Sequence, residues 1–222
     1  ADKFILSGHA IHGLLYDVPH EIQIAEASAF MCECKMLYRY KGEHPGFPFA
    51  FDMNVRYRLE EANRLTIITT VHNRSGKTIP MSDGWHPYFT LGESINNCTL
   101  QFSSKGKMEY DKDLLPTGNM IADARFSNGL KIGDLQLDDG YELSAENSSC
   151  TLQNEQFILQ INPSSLYPYL QLYTPPDRKS IAIENLSGAP DCFNNKMGLQ
   201  QLEPQGQIYF ETTYQFKTAS RL

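Results

Sequence analysis

The chain alternates apolar and polar positions far more often than it spaces them helically. In NVRYRLEEANRLTIITTVHNRSGKTIP, Val55, Tyr57 and Leu59 fall on one face, with Arg56 and Arg58 on the other. EAN supplies turn residues, and residues 65–71 are a β-branched run. Period-two alternation on both sides of a turn predicts a β-hairpin. The same grammar returns in LSAENSSCTLQNEQFILQINP, in YLQLYTPPDRKSIAIENL and in GQIYFETTYQFKT. In the last of these, Ile208, Phe210, Thr212, Tyr214 and Phe216 share a face. HEIQIAEASAFMCECKMLYRY is the most ambiguous stretch, and its IQIAEASAF is read as strand. No amphipathic run of about 11 residues keeps a 3.6-residue period. No low-complexity linker or internal repeat divides the chain. Over 222 residues the pattern predicts one all-β domain, 1–222. A large antiparallel β-sandwich fits that length better than a small barrel.

Composition narrows the function classes. The chain is 41% hydrophobic and 20% charged, ordinary for a globular protein with a sizeable core. Its net charge is -7, and its 19 Lys and Arg form no long run, so nucleic acid is not an expected partner. No apolar run approaches the roughly 20 residues of a membrane span. The opening ADKFILSGHAIHG is too short and polar for a signal peptide, so the expected location is cytoplasmic, with periplasm or secretion as alternatives. Cys32, Cys34, Cys98, Cys150 and Cys192 are odd in number and widely spaced, unlike a disulfide framework. The Cys32–Cys34 pair has no second Cys/His pair at zinc spacing, so no metal site is expected. N-x-[ST] occurs at Asn73, Asn97, Asn147 and Asn185, and chance accounts for it.

Three segments carry candidate chemistry. In HAIHGLL, His9 and His12 stand three apart, so on a regular strand they face opposite sides and do not chelate one ion. Gly13 lets backbone or ligand approach His12 closely. His12 reads equally as a polar turn residue or a site residue. In SDGWHPYFTLG, Pro87 holds His86 extended and aims its ring, while Trp85 and Tyr88 offer flat apolar surfaces. Taken alone, His86 is first a packed histidine. In SIAIENLSGAPDCFNN, Glu184 ends an apolar strand just before a loop with Gly188 and Pro190. It is either a plain strand-end carboxylate or a general base whose pKa burial raises.

Taken together, the segments are more specific. GWHPYFTLG, then AIENLSGAPDCFNN and LEPQGQIYFETTYQF, resemble the aldose 1-epimerase (galactose mutarotase) family. HGLL, LDDGYEL and FPFAFDMNVRYRLEEANRLTIITTVHN fall in the family's order, so the likeness runs from about His9 to Phe216. The resemblance implies a β-sandwich of the supersandwich type, with a sugar cleft on one concave sheet. It implies interconversion of the α and β anomers of a free aldose, without cofactor or metal. By the same carry-over, Glu184 is the general base, His86 the general acid and His12 a sugar-binding histidine. Asp138, three residues before Tyr141, is the sugar-binding aspartate, with Asp139 as fallback because strand neighbours face opposite ways.

The chain also departs from the family's pattern. Family members carry strands before the H-G segment that supply an active-site arginine, and no arginine precedes Arg39 here. A truncated chain, a compact variant and strands supplied by another subunit all remain open. An exposed sheet edge there invites pairing, so a homodimer is one expectation. Gln205 replaces the glycine of a P-G turn, with Gly206 expected to supply the flexible position. Three competing functions are a sugar-phosphate epimerase, a non-catalytic carbohydrate-binding protein of the same fold and a β-sandwich interaction module.

Overall fold

The computed structural model describes residues 12–219 in full and the backbone of residues 5, 6, 9 and 10. The chain runs through β1 (Ile5–Leu6), β2 (His9–Ala10), β3 (Glu21–Ala27), β4 (Met31–Tyr40), β5 (Phe51–Glu60) and β6 (Arg64–Asn73). Next come β7 (Ile79–Met81), β8 (Tyr88–Phe89), β9 (Thr99–Phe102), β10 (Ser104–Tyr110), β11 (Pro116–Ile121), β12 (Leu130–Lys131) and β13 (Asp138–Leu143). β14 (Cys150–Gln153), β15 (Phe157–Pro163), β16 (Tyr169–Tyr173) and β17 (Ile181–Leu186) follow. A single helical turn, α1 (Cys192–Asn195), precedes β18 (Gln200–Leu202) and β19 (Gln207–Thr218).

Among the described residues, two antiparallel sheets dominate. The larger has the order β12-β9-β14-β15-β19-β6-β5-β4-β3, and the smaller β11-β10-β13-β16-β17-β8. Their facing sides are the apolar sides of the alternating strands. Val55, Ile67, Leu100, Leu152, Ile161 and Tyr214 of the larger sheet pack on Tyr141, Leu143, Leu170, Leu172, Ile181 and Ile183 of the smaller. At one end a second cluster gathers Tyr40, Phe51, Val71, Ile79, Met81, Tyr167 and Phe210. Each fully buried aliphatic or aromatic side chain contributes roughly 1.5–3 kcal/mol, so this interface is the main source of stability.

The expected hairpin is β5–β6, paired from Phe51↔Asn73 to Glu60↔Arg64. Ala62 and Asn63 take left-handed φ values of 61° and 53° to close its turn. In β19, Phe210, Thr212 and Tyr214 are buried and Phe216 meets Phe157 at 5.1 Å. IQIAEASAF is not strand throughout. β3 stops at Ala27, because the Ser28 hydroxyl accepts the N–H groups of Phe30 and Met31 and bends the chain into β4. At EPQG the left-handed position falls on Gln205 (φ 60°) and not on Gly206. Gly206 is needed for another reason: a Cβ there would lie 2.9 Å from the Glu203 carbonyl oxygen. Asn73 and Asn185 are buried, which suits their reading as chance N-x-[ST] matches.

Candidate active site

The outward face of the smaller sheet is set by register. Asp138, Tyr173 and Ala182 lie side by side across β13, β16 and β17, and Gly140, Gln171 and Glu184 form the next row. Directly opposite residues share a face, so Glu184, Gln171, Asp138 and Tyr173 all point away from the sandwich core. β8 extends the row, with Tyr88 opposite Ala182.

Glu184 comes from SIAIENL, a strand that alternates small and large apolar residues and is buried from Ile181 to Asn185. His86 is brought to it by backbone bonds on either side. The Trp85 N–H donates to the Asn185 carbonyl (3.2 Å), and the Ile183 N–H donates to the Pro87 carbonyl (3.4 Å). His86 therefore stands across from Glu184, with its Nε2 3.3 Å from Glu184 Oε1. Gly84 permits this approach, since a Cβ there would lie 2.5 Å from Leu186 Cδ2. The imidazole stacks on Tyr88 at 5.0 Å and meets the His12 ring edge-on at 5.4 Å. His12 arrives at left-handed φ 62°, next to Gly13 at 69°. Its ring also meets Tyr16 at 5.8 Å. The side chain of His9 lies outside the described residues.

The structure thus brings together His12, His86, Glu184 and Asp138. Asp138 Oδ1 accepts from Gln171 Nε2 at 3.1 Å. Asp139 points to the opposite face, where Lys107 (2.8 Å) and Arg125 (3.4 Å) engage it. Trp85 turns inward and does not line the site. Its indole N–H donates to Thr69 Oγ1 at 3.2 Å, and its ring packs between the two core clusters.

Two residues escaped the sequence reading. Gln171 links Asp138 to Tyr110, whose hydroxyl donates to Gln171 Oε1 at 3.2 Å. Tyr110 can cross the sheet there because Gly140 has no side chain in its way. The signal for Gln171 was present in YLQLY, where it is the one amide in an apolar strand and shares a face with Tyr169 and Tyr173. The signal for Tyr110 needed the pairing of β10 with β13, which no local pattern supplies.

Electrostatics separate the two central groups. Burial, with the nearby Asp138 charge in support, raises the Glu184 carboxyl to about 8. Burial lowers the His86 imidazole, reinforced by His12 and opposed by a backbone hydrogen bond. At pH 7 the pair carries about one proton between them, mainly on the carboxyl, and two groups this close titrate as a unit. Asp138 is also raised, by burial first. Among the described residues, no group of three or more His, Cys, Asp or Glu side chains is arranged to hold a metal ion. No helix there is long and apolar enough to cross a membrane.

Known proteins share this arrangement of sheets. The chain superposes on a galactose mutarotase-like protein from Clostridium acetobutylicum with a TM-score of 0.85 at 19% identity, covering 94% of this chain and 69% of that one. Galactose 1-epimerase from Lactobacillus acidophilus NCFM gives 0.76 at 17% identity, over 90% and 67%. In sequence, the Escherichia coli K12 protein YihR, itself uncharacterized, is 26% identical over 200 residues. That alignment covers 87% of this chain and 63% of YihR, so the chain spans less than two thirds of that relative. An aldose 1-epimerase from Streptococcus thermophilus is 32% identical over 91 residues, 40% of this chain and 26% of that protein. The family model for aldose 1-epimerase matches residues 2–215, nearly the whole sequence, and the chain therefore belongs to the aldose 1-epimerase family.

Proposed function

We propose that this protein is a mutarotase that interconverts the α and β anomers of a free aldose by opening and closing its ring. The observation that carries this reading is the 3.3 Å approach of His86 Nε2 to a buried Glu184 carboxyl. Ring opening needs one proton removed from the C1 hydroxyl and one delivered to the ring oxygen. Those oxygens share a carbon, so an adjacent acid and base can reach both. Glu184 takes the hydroxyl proton, His86 gives its proton to the ring oxygen, and the C1–O bond of the ring breaks to leave an aldehyde. The C1–C2 bond then turns. On closure the carboxylic acid returns its proton to the former carbonyl oxygen, and His86 recovers one from the re-forming ring oxygen. No net proton is gained or lost.

The pKa order leaves the pair one internal proton transfer away from the reactive form. The single proton rests on Glu184, and the reactive arrangement carries it on His86, with Glu184 free to accept from the sugar. Each positioned transfer contributes roughly 10²–10⁴ in rate. His12, edge-on to His86, binds the sugar and steadies the charge developing on it. Asp138 accepts hydrogen bonds from sugar hydroxyls, with Gln171 holding its orientation.

Polarimetry of freshly dissolved α-glucose and α-galactose tests the reading. The protein should speed the change in rotation above the buffer rate, and Glu184→Gln and His86→Ala should each lower kcat by about 10²-fold or more. If the unaltered protein adds nothing to the buffer rate with either sugar, the free-hexose reading fails. Saturable sugar binding without acceleration assigns the chain to carbohydrate binding alone.

A further inference from the structure

His86 sits on a segment, 82–87, that lies between the short strands β7 and β8. The two backbone bonds flanking it are long, at 3.2 and 3.4 Å. The firm attachment is at the other end of the segment. The Ser187 N–H donates to the Asp83 carbonyl at 2.8 Å, and the Asp83 N–H donates to Ser187 Oγ at 2.8 Å. The Asp83 side chain turns away from this pair and accepts from the Tyr167 hydroxyl at 2.5 Å. Tyr167 is 1% exposed, packed with Phe210 at a ring distance of 5.5 Å in the second core cluster. A carboxylate turned towards a core gives up hydration, and burial raises Asp83 to about 7 even against the Tyr167 hydrogen bond. A neutral residue would spare the protein that desolvation. A buried charge is weak evidence for stability and better evidence for specifying one arrangement. Here the arrangement specified is the path of the chain three residues before His86.

We propose that the Asp83–Tyr167 contact is a positioning latch: it anchors the 82–87 segment to the core and thereby sets where His86 meets Glu184. Asp83 touches no reacting atom and acts through the backbone that carries His86. The proposal rests on the acid–base reading of His86 and Glu184, but it can be measured without turnover.

The test is the titration of the His86 ring followed by NMR in the full chain. His12, Tyr88 and Asp138, which face the pair, stay unchanged throughout. The pair titrates as a unit, so the His86 ring signals should show a second inflection near 8, where Glu184 ionises, and Glu184→Gln should abolish it. In a Tyr167→Phe background the amplitude of that second inflection should fall by more than half. Asp83→Ala should uncouple the pair in the same way, whereas Asp83→Asn, which keeps a neutral acceptor for the Tyr167 hydroxyl, should retain most of the coupling. Full coupling in both Tyr167→Phe and Asp83→Ala overturns the latch, and so does the absence of coupling in the unaltered chain. Failure of the mutarotase reading would show instead as missing polarimetric activity with the titration pattern intact.

Discussion

At the scale of single residues, the pair His86 and Glu184 dictates a pH profile. Activity needs one proton on the pair, so kcat/KM should be bell-shaped. The acid limb should lie below the ordinary histidine value of 6.5, because burial lowers His86, and the alkaline limb near 8, where Glu184 ionises. A profile measured by polarimetry between pH 4.5 and 9.5 checks both limbs, and an activity still rising at pH 9 would contradict the assignment. Much of this site was legible in the sequence. Glu184 stood out as the one carboxylate of an apolar strand, although β17 runs two residues beyond it to Leu186, and Pro87 marked His86 as held in extended backbone. Their contact was not legible, since it depends on the register of 82–87 against β17. Asp83 was hidden for a related reason: SDG reads as turn chemistry, and its partner Tyr167 lies in a distant turn.

At the scale of elements, alternation located most long strands, left the 10-residue β4 in an ambiguous stretch and missed the short ones. β5, β6 and β19 each run 10 residues or more, so period two is unmistakable. β8 has two residues and β7 three, too few to show any period. Turn chemistry was less legible still, as the EPQG turn shows. A non-glycine residue in the left-handed region costs about 1–2 kcal/mol. Glycine gives back about 0.5–1 kcal/mol of that through its freer unfolded chain. Gln205→Gly should therefore stabilise the fold by about 0.5–1 kcal/mol, a rise in Tm of about 1–4 °C for a chain of this size. A scanning-calorimetry midpoint that is unchanged or lower would remove the strain argument.

At the scale of the whole molecule, the site works against the fold that holds it. Glu184 is raised from 4.5 to about 8, and Asp83 from 3.8 to about 7. Both bind a proton more tightly folded than unfolded. Their favourable contribution is complete below the unfolded values and is lost as pH rises through 7 to 8. Thermal midpoints should fall between pH 5.5 and pH 8.5, and Glu184→Gln should flatten the fall, gaining roughly 2–4 kcal/mol at the alkaline end. Equal pH slopes in the two proteins would show that Glu184 does not carry this cost. The all-β class and sandwich were legible from alternation alone, whereas strand order was not, because pairing partners lie far apart in sequence. That order has a consequence for how the protein is made. In the larger sheet, β3–β6 form one block and β9, β12, β14 and β15 another, and β19 alone joins them, pairing with β6 from Gln207 to Gln215 and with β15 from Thr212 to Thr218. On the ribosome, both half-sheets must wait with a bare edge until residues 207–218 emerge. Such non-local pairing is slow and leaves edges open to wrong partners. Newly synthesised chains are thus most vulnerable to misassembly just before residues 207–218 emerge, with the strands of both half-sheets made but not the one that unites them.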